Sequence, residues 1–126
     1  VQKVTDVYLE RLPEDKIPYW DFDAPGGDKL VRDASAAAIM ASAFIELSRY
    51  IQDTDAKEKY LGIAEKQLRT LASNRYLAKP GTNGNFILMH SVGSYPDQSE
   101  VDVPLTYADY YFLEALLRYK NVLTQK

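Results

Sequence analysis

From Asp33 to Ile51 the sequence keeps one rhythm, with Ala37, Met40, Ala41, Phe44, Leu47, Ser48 and Ile51 recurring at steps of three and four. That spacing predicts an α-helix, and Asp33 supplies a carboxylate able to accept the orphan amide protons of its first turn. The early half is almost entirely small: Ala34, Ser35, Ala36, Ala37, Ala38, Ala41, Ser42 and Ala43. Small side chains let neighbouring helix axes approach closely, so this segment suits an inner helix of a layered bundle.

A short turn, Gln52 to Thr54, leads into a second helical pattern carried by Tyr60, Leu61, Ala64, Leu68, Leu71 and Ala72. Asp55 and Glu58 have the spacing of a capping box at its start. Lys57, Glu58, Glu65, Lys66 and Arg69 take the opposite face, which predicts an amphipathic outer helix running antiparallel to the first. A final helix is expected over Leu105, Ala108, Tyr111 or Phe112, Ala115, Leu116 and Tyr119, with Pro104 in its first turn. Val4 to Leu12 reads as the last turns of a helix that ends at Pro13.

The connections alternate in length. Pro13 to Arg32 is long and polar, and Ala78 to Asp102 is long and irregular, with a turn at Pro80, Gly81, Asn83 and Gly84 and Phe86 to His90 read as extended. Between them lies only the short turn. In an up-down arrangement both long loops then fall at one end of the bundle. Paired helices with one tight rim and one elaborated rim are the plan of an all-α toroid of helical hairpins; three or four helices are about a third of such a ring, so either this chain is a fragment of it or the ring is completed otherwise.

Fifteen basic and eighteen acidic side chains, without long like-charged blocks, give no electrostatic footprint for nucleic acid or an anionic membrane. No apolar run is long enough to span a bilayer, so the chain reads as soluble. The absence of cysteine removes disulfides and thiolate chemistry and leaves the compartment open.

Chemistry is therefore sought in the loops. Tyr19-Trp20-Asp21-Phe22-Asp23 sets two carboxylates among three aromatic rings; ring faces stack on sugars and carboxylates accept hydrogen bonds from hydroxyls. The bland alternative is a plug over the bundle, with the aspartates capping helix ends. His90, the single histidine, stands in Met89-His90-Ser91-Val92-Gly93-Ser94, where a ligand contact or an ordinary hydrogen bond is expected before catalysis or metal binding. Asp97, Glu100 and Asp102 precede the last helix without calcium-loop spacing, and Asp102 is expected to favour that helix's N-terminus through its dipole. No Gly-x-Ser-x-Gly or phosphate-binding glycine loop occurs.

Four segments together resemble one family. Pro18-Tyr19-Trp20-Asp21-Phe22-Asp23-Ala24-Pro25, Arg32-Asp33-Ala34-Ser35-Ala36-Ala37-Ala38, His90-Ser91-Val92-Gly93 and the long run from Glu100-Val101-Asp102-Val103-Pro104 through Glu114-Ala115 are similar to the C-terminal third of unsaturated glucuronyl hydrolases, glycoside hydrolase family 88. The resemblance implies a six-hairpin α/α barrel, with residues 1–126 as a single C-terminal portion of it. It implies release of 4,5-unsaturated uronic acid from lyase-generated oligosaccharides, by protonation of the C4=C5 enol ether by an aspartic acid and addition of water at C5, with no cofactor.

The family's catalytic aspartates lie in the preceding two thirds, so no catalytic residue is assigned here, and Asp21 and Asp23 are not given that role. Trp20, Asp21, His90 and Ser91 carry over as substrate-binding candidates. Arg32, Asp33 and Asp109 are expected to tie loops to helices. The partners implied are an unsaturated uronate oligosaccharide and either the rest of the same chain or a second copy. A non-catalytic helical module that binds carbohydrate or protein is the alternative.

Overall fold

The computed structural model describes residues 1–125. Its order is α1 (Gln2–Arg11), α2 (Ala34–Ser48), α3 (Thr54–Leu71), β1 (Ser91–Ser94), β2 (Ser99–Val103) and α4 (Thr106–Thr124). The helix-rich expectation holds, but the all-α one needs correction: β1 and β2 pair antiparallel as a small hairpin, with Val92 opposite Val101 and Ser94 opposite Ser99. Phe86 to His90, expected to be extended, forms only an isolated bridge between Leu77 and Leu88.

α2 is central because its side chains are small. Ala34, Ala37, Ala38 and Ala41 are wholly buried, and Phe44 and Ile45 complete its inward surface. α3 covers one side with Tyr60, Ala64, Leu68 and Leu71, while Ala108, Phe112 and Ala115 of α4 cover the other. Burying one Leu- or Phe-sized side chain contributes about 1.5–3 kcal/mol, so this three-helix contact is the main source of stability. Polar ties lock the packing: Ser42 donates to Glu114 at 2.6 Å, Arg118 donates to the Ser42 carbonyl at 3.1 Å, and Tyr119 donates to Glu65 at 2.7 Å.

Helix starts separate the expectations. Asp33 caps α2, accepting from the Ser35 amide at 3.0 Å. The Asp55–Glu58 capping box is not used; α3 starts just before it, where Asp53 accepts from the Asp55 amide at 3.0 Å. Pro104 lies outside α4, whose N-cap is Leu105. Asp102, assigned to the helix dipole, sits instead within β2. The connection from α2 to α3 is short, and both long loops gather at the opposite end, as the alternation required.

In the hairpin, Gly93 has a strict packing role. A Cβ added there would lie 2.8 Å from the Glu100 Cβ, so no larger residue fits without moving β2. On the outside of α4, Tyr110, Leu113 and Leu117 are between 53% and 60% exposed and line up at helical spacing. No helix among the described residues is long and apolar enough to cross a membrane.

Candidate functional site: the elaborated rim

The first loop is fastened from its two ends. Arg32 Nη1 donates to Asp15 Oδ1 at 2.8 Å and to the Ile17 carbonyl at 2.6 Å, and Arg75 Nη1 reaches the other Asp15 oxygen at 2.9 Å. One carboxylate thus joins two guanidinium groups, and Arg32 also stacks 4.3 Å from the Tyr19 ring centroid. The second loop is held by helix-borne carboxylates. Asp109 accepts from the Ile87 and Leu88 amides at 2.8 and 2.9 Å, and Asp33 accepts from the Val92 amide at 3.2 Å. The expected tying roles of Arg32, Asp33 and Asp109 are therefore present.

Trp20 is half-buried and stacks flat on Tyr95, at 4.3 Å and 13°, so the first loop rests on the hairpin turn. Its indole N–H is buried with no partner among the described residues. Asp21 accepts from the Asp23 amide at 2.8 Å, closing a local turn. Neither aspartate caps a helix. Asp23 pairs with Arg11, whose hydrogen bond and charge hold its carboxyl below the usual range. Phe22 meets Tyr8 edge-on at 5.9 Å, the plugging role read as the bland alternative.

His90 has a positive φ of 66°, and its Nδ1 lies 2.7 Å from Asp102 Oδ1. Its ring stands edge-on to Tyr76 at 5.9 Å. Ser91 is wholly buried, with its hydroxyl unpaired among the described residues. His90 lines a cavity of about 190 Å³ together with Arg32, Arg75, Tyr76 and Asp102; Trp20, Asp21 and Ser91 are not part of that lining. No cluster of three or more acidic or histidine side chains arranged to hold a metal ion occurs among the described residues.

Sequence reasoning missed Asp15, Arg75, Tyr76 and Tyr95. Asp15 and Arg75 are 60 residues apart, and nothing local to either marks their pairing. Tyr95 was the more findable: an aromatic residue in a Gly-Ser-Tyr-Pro turn, inside a loop otherwise rich in polar residues, invites a stacking partner.

No protein-family model matches the chain. Comparison with individual proteins nevertheless leads to one class, the glycosidases. An unsaturated glucuronyl hydrolase of Formosa agariphila is 47% identical over 124 residues, covering 97% of this chain and 30% of that protein. A crystal structure of an unsaturated glucuronyl hydrolase specific for heparin superposes with a TM-score of 0.93 at 49% identity, over 98% of this chain and 33% of that one. A Streptococcus agalactiae unsaturated glucuronyl hydrolase variant, complexed with dGlcA-GalNAc6S, matches with a TM-score of 0.83 at 37% identity, over 93% of this chain and 31% of that one. Over its matched length this chain is thus a member of the unsaturated glucuronyl hydrolases. It spans about a third of the length of the relatives it matches.

Proposed function

We propose that the chain is the C-terminal part of an unsaturated glucuronyl hydrolase, completing a six-hairpin α/α barrel whose other hairpins belong to the rest of the polypeptide. The observation that carries this reading is the joint match in sequence and fold, 49% identity at a TM-score of 0.93 over nearly the whole chain. In that setting the exposed Tyr110, Leu113 and Leu117 of α4 are covered by a neighbouring hairpin. The substrate is an oligosaccharide ending in a 4,5-unsaturated uronate, and hydration of its C4=C5 bond frees the uronic acid.

The part played by these residues is to build the wall. Trp20, with one face on Tyr95, offers its other face to a sugar ring; Asp21 offers a carboxylate to hydroxyls; His90 is oriented by Asp102; Ser91 lies buried at the start of the hairpin beside it. Proton delivery to the double bond falls to aspartates outside this segment, so the chain alone is inactive. Incubating the bare chain with an unsaturated disaccharide should leave the conjugated absorbance unchanged. Loss of that absorbance at the rate of an intact enzyme would overturn the assignment. The non-catalytic module is not favoured, since the Formosa agariphila and Streptococcus relatives are named as hydrolases.

A further inference from the structure

The turn at Pro80, Gly81, Asn83 and Gly84 takes no part in the sugar wall. Asn83, Gly84 and Asn85 stand one after another in the left-handed region, with φ of 55°, 60° and 66°. Glycine enters that region freely, and asparagine more readily than most other side chains, so this backbone selects Asn-Gly-Asn. Asn83 then closes the turn: its Nδ2 donates to the Leu88 carbonyl at 3.0 Å and to the Phe86 carbonyl at 3.3 Å. Both protons of the side-chain amide are thereby used, and the loop they close leads through Leu88 and Met89 to His90.

The residues this turn requires are also chemically labile. Asparagine is a thermolabile side chain, and a following glycine puts no side chain beside the backbone nitrogen that attacks it. Gly84 is exposed and Asn83 half-buried. The Gly84 nitrogen attacks Asn83 Cγ and forms an N–C bond; the Cγ–Nδ2 bond breaks, and ammonia leaves with the Gly84 amide proton. Water then opens the cyclic imide at either carbonyl, giving aspartate or isoaspartate. A carboxylate only accepts, so it faces the Phe86 and Leu88 carbonyls with no donor, and the turn loses both closures. While the loop stays closed, the same two hydrogen bonds hold the side-chain amide in place, so attack waits for local opening.

We propose that Asn83 is a spontaneous deamidation site whose amide clasp both delays the reaction and is destroyed by it, so that one modification releases the loop ahead of His90. The proposal stands on the backbone and hydrogen bonds of this turn and is independent of the activity assigned above. The chain, its helicity checked by circular dichroism, is aged in mildly alkaline buffer with and without urea. Proteolytic peptides are weighed at intervals, and isoaspartate is read with an isoaspartyl methyltransferase.

In urea, loss of ammonia at Asn83 is expected to outpace that at Asn74, Asn85 and Asn121; in the folded chain it should slow several-fold. Asp109→Ala, which frees the Ile87 and Leu88 amides, should restore much of the rate at Asn83, whereas Asp53→Ala at the far end of the bundle should not. Asn83→Asp sets the product in place directly. Hydrogen exchange should then quicken at Asn85 and Phe86, whose amides bond to the Thr82 and Asn83 carbonyls, and stay unchanged at Trp20. An Asn83 that keeps its amide in urea, or equal rates in the folded, Asp109→Ala and urea-treated chains, or unaltered exchange in Asn83→Asp, overturns the proposal.

Discussion

The two long loops of the rim are held by opposite chemistry. The first is gathered by a cation, Arg32, bonded to Asp15 and the Ile17 carbonyl and standing with its side chain 14% exposed. The second is pinned by anions at helix starts, Asp109 on two backbone amides and Asp33 on one. A guanidinium hub joins residues far apart in sequence but fixes them through side chains. A carboxylate at a helix N-terminus grips backbone amides, and the helix dipole reinforces it. The first arrangement gives the loop a charged wall, and the second sets the register of the hairpin that carries His90.

Breaking each anchor should loosen one loop and spare the other. Arg32→Ala leaves Asp15 half-buried beside Arg75 alone and should cost about 3 kcal/mol, read by chemical denaturation. Asp109→Ala strands two amides and should cost about 2 kcal/mol. Hydrogen exchange is then expected to accelerate at Ile87 and Leu88 and not at Trp20, whose amide bonds to the Val31 carbonyl. Asp53→Ala, at the exposed start of α3 and away from the rim, should cost about 1 kcal/mol and leave both loops unchanged.

A smaller effect belongs to the helix contact beneath the rim. Burial, and then donation to Glu65, push the Tyr119 phenol up to about 12 from 10.0. The unfolded chain therefore loses this proton first as pH rises, and the folded state binds more protons between those values. Stability from this group is full below pH 10 and is lost as pH climbs towards 12. Tyr119→Phe should flatten that part of an alkaline melting series, and an unchanged slope would remove the role given to this contact.

Much of the helical frame was legible in the sequence because packing needs left a regular trace. The alanines of α2 had no use other than close helix approach, and the alternation of long and short connections was enough to place both loops at one end. Helix starts were less legible: Asp55 and Glu58 imitated a capping box that Asp53 made unnecessary, and Pro104 stood before α4 instead of within it.

The β-hairpin escaped because its strands are four and five residues long, and within β2 positive φ at Glu100 and Asp102 departs from regular strand backbone. On the rim, motif likeness drew attention to Trp20 and His90 but not to what braces them. Tyr95, Asp15 and Arg75 act through contacts between distant segments, which spacing along one chain does not record.

The most direct measurement is a graft. In the Formosa agariphila relative, the segment aligned with these 124 residues is replaced by this chain, and folding is checked by circular dichroism before an unsaturated uronate disaccharide is supplied. The expected result is a folded chimera that removes the conjugated absorbance, with Arg32→Ala and Asp109→Ala versions weakened in that order. A chimera that folds with native helicity and stability yet leaves the disaccharide untouched would contradict the claim that this chain completes such an enzyme.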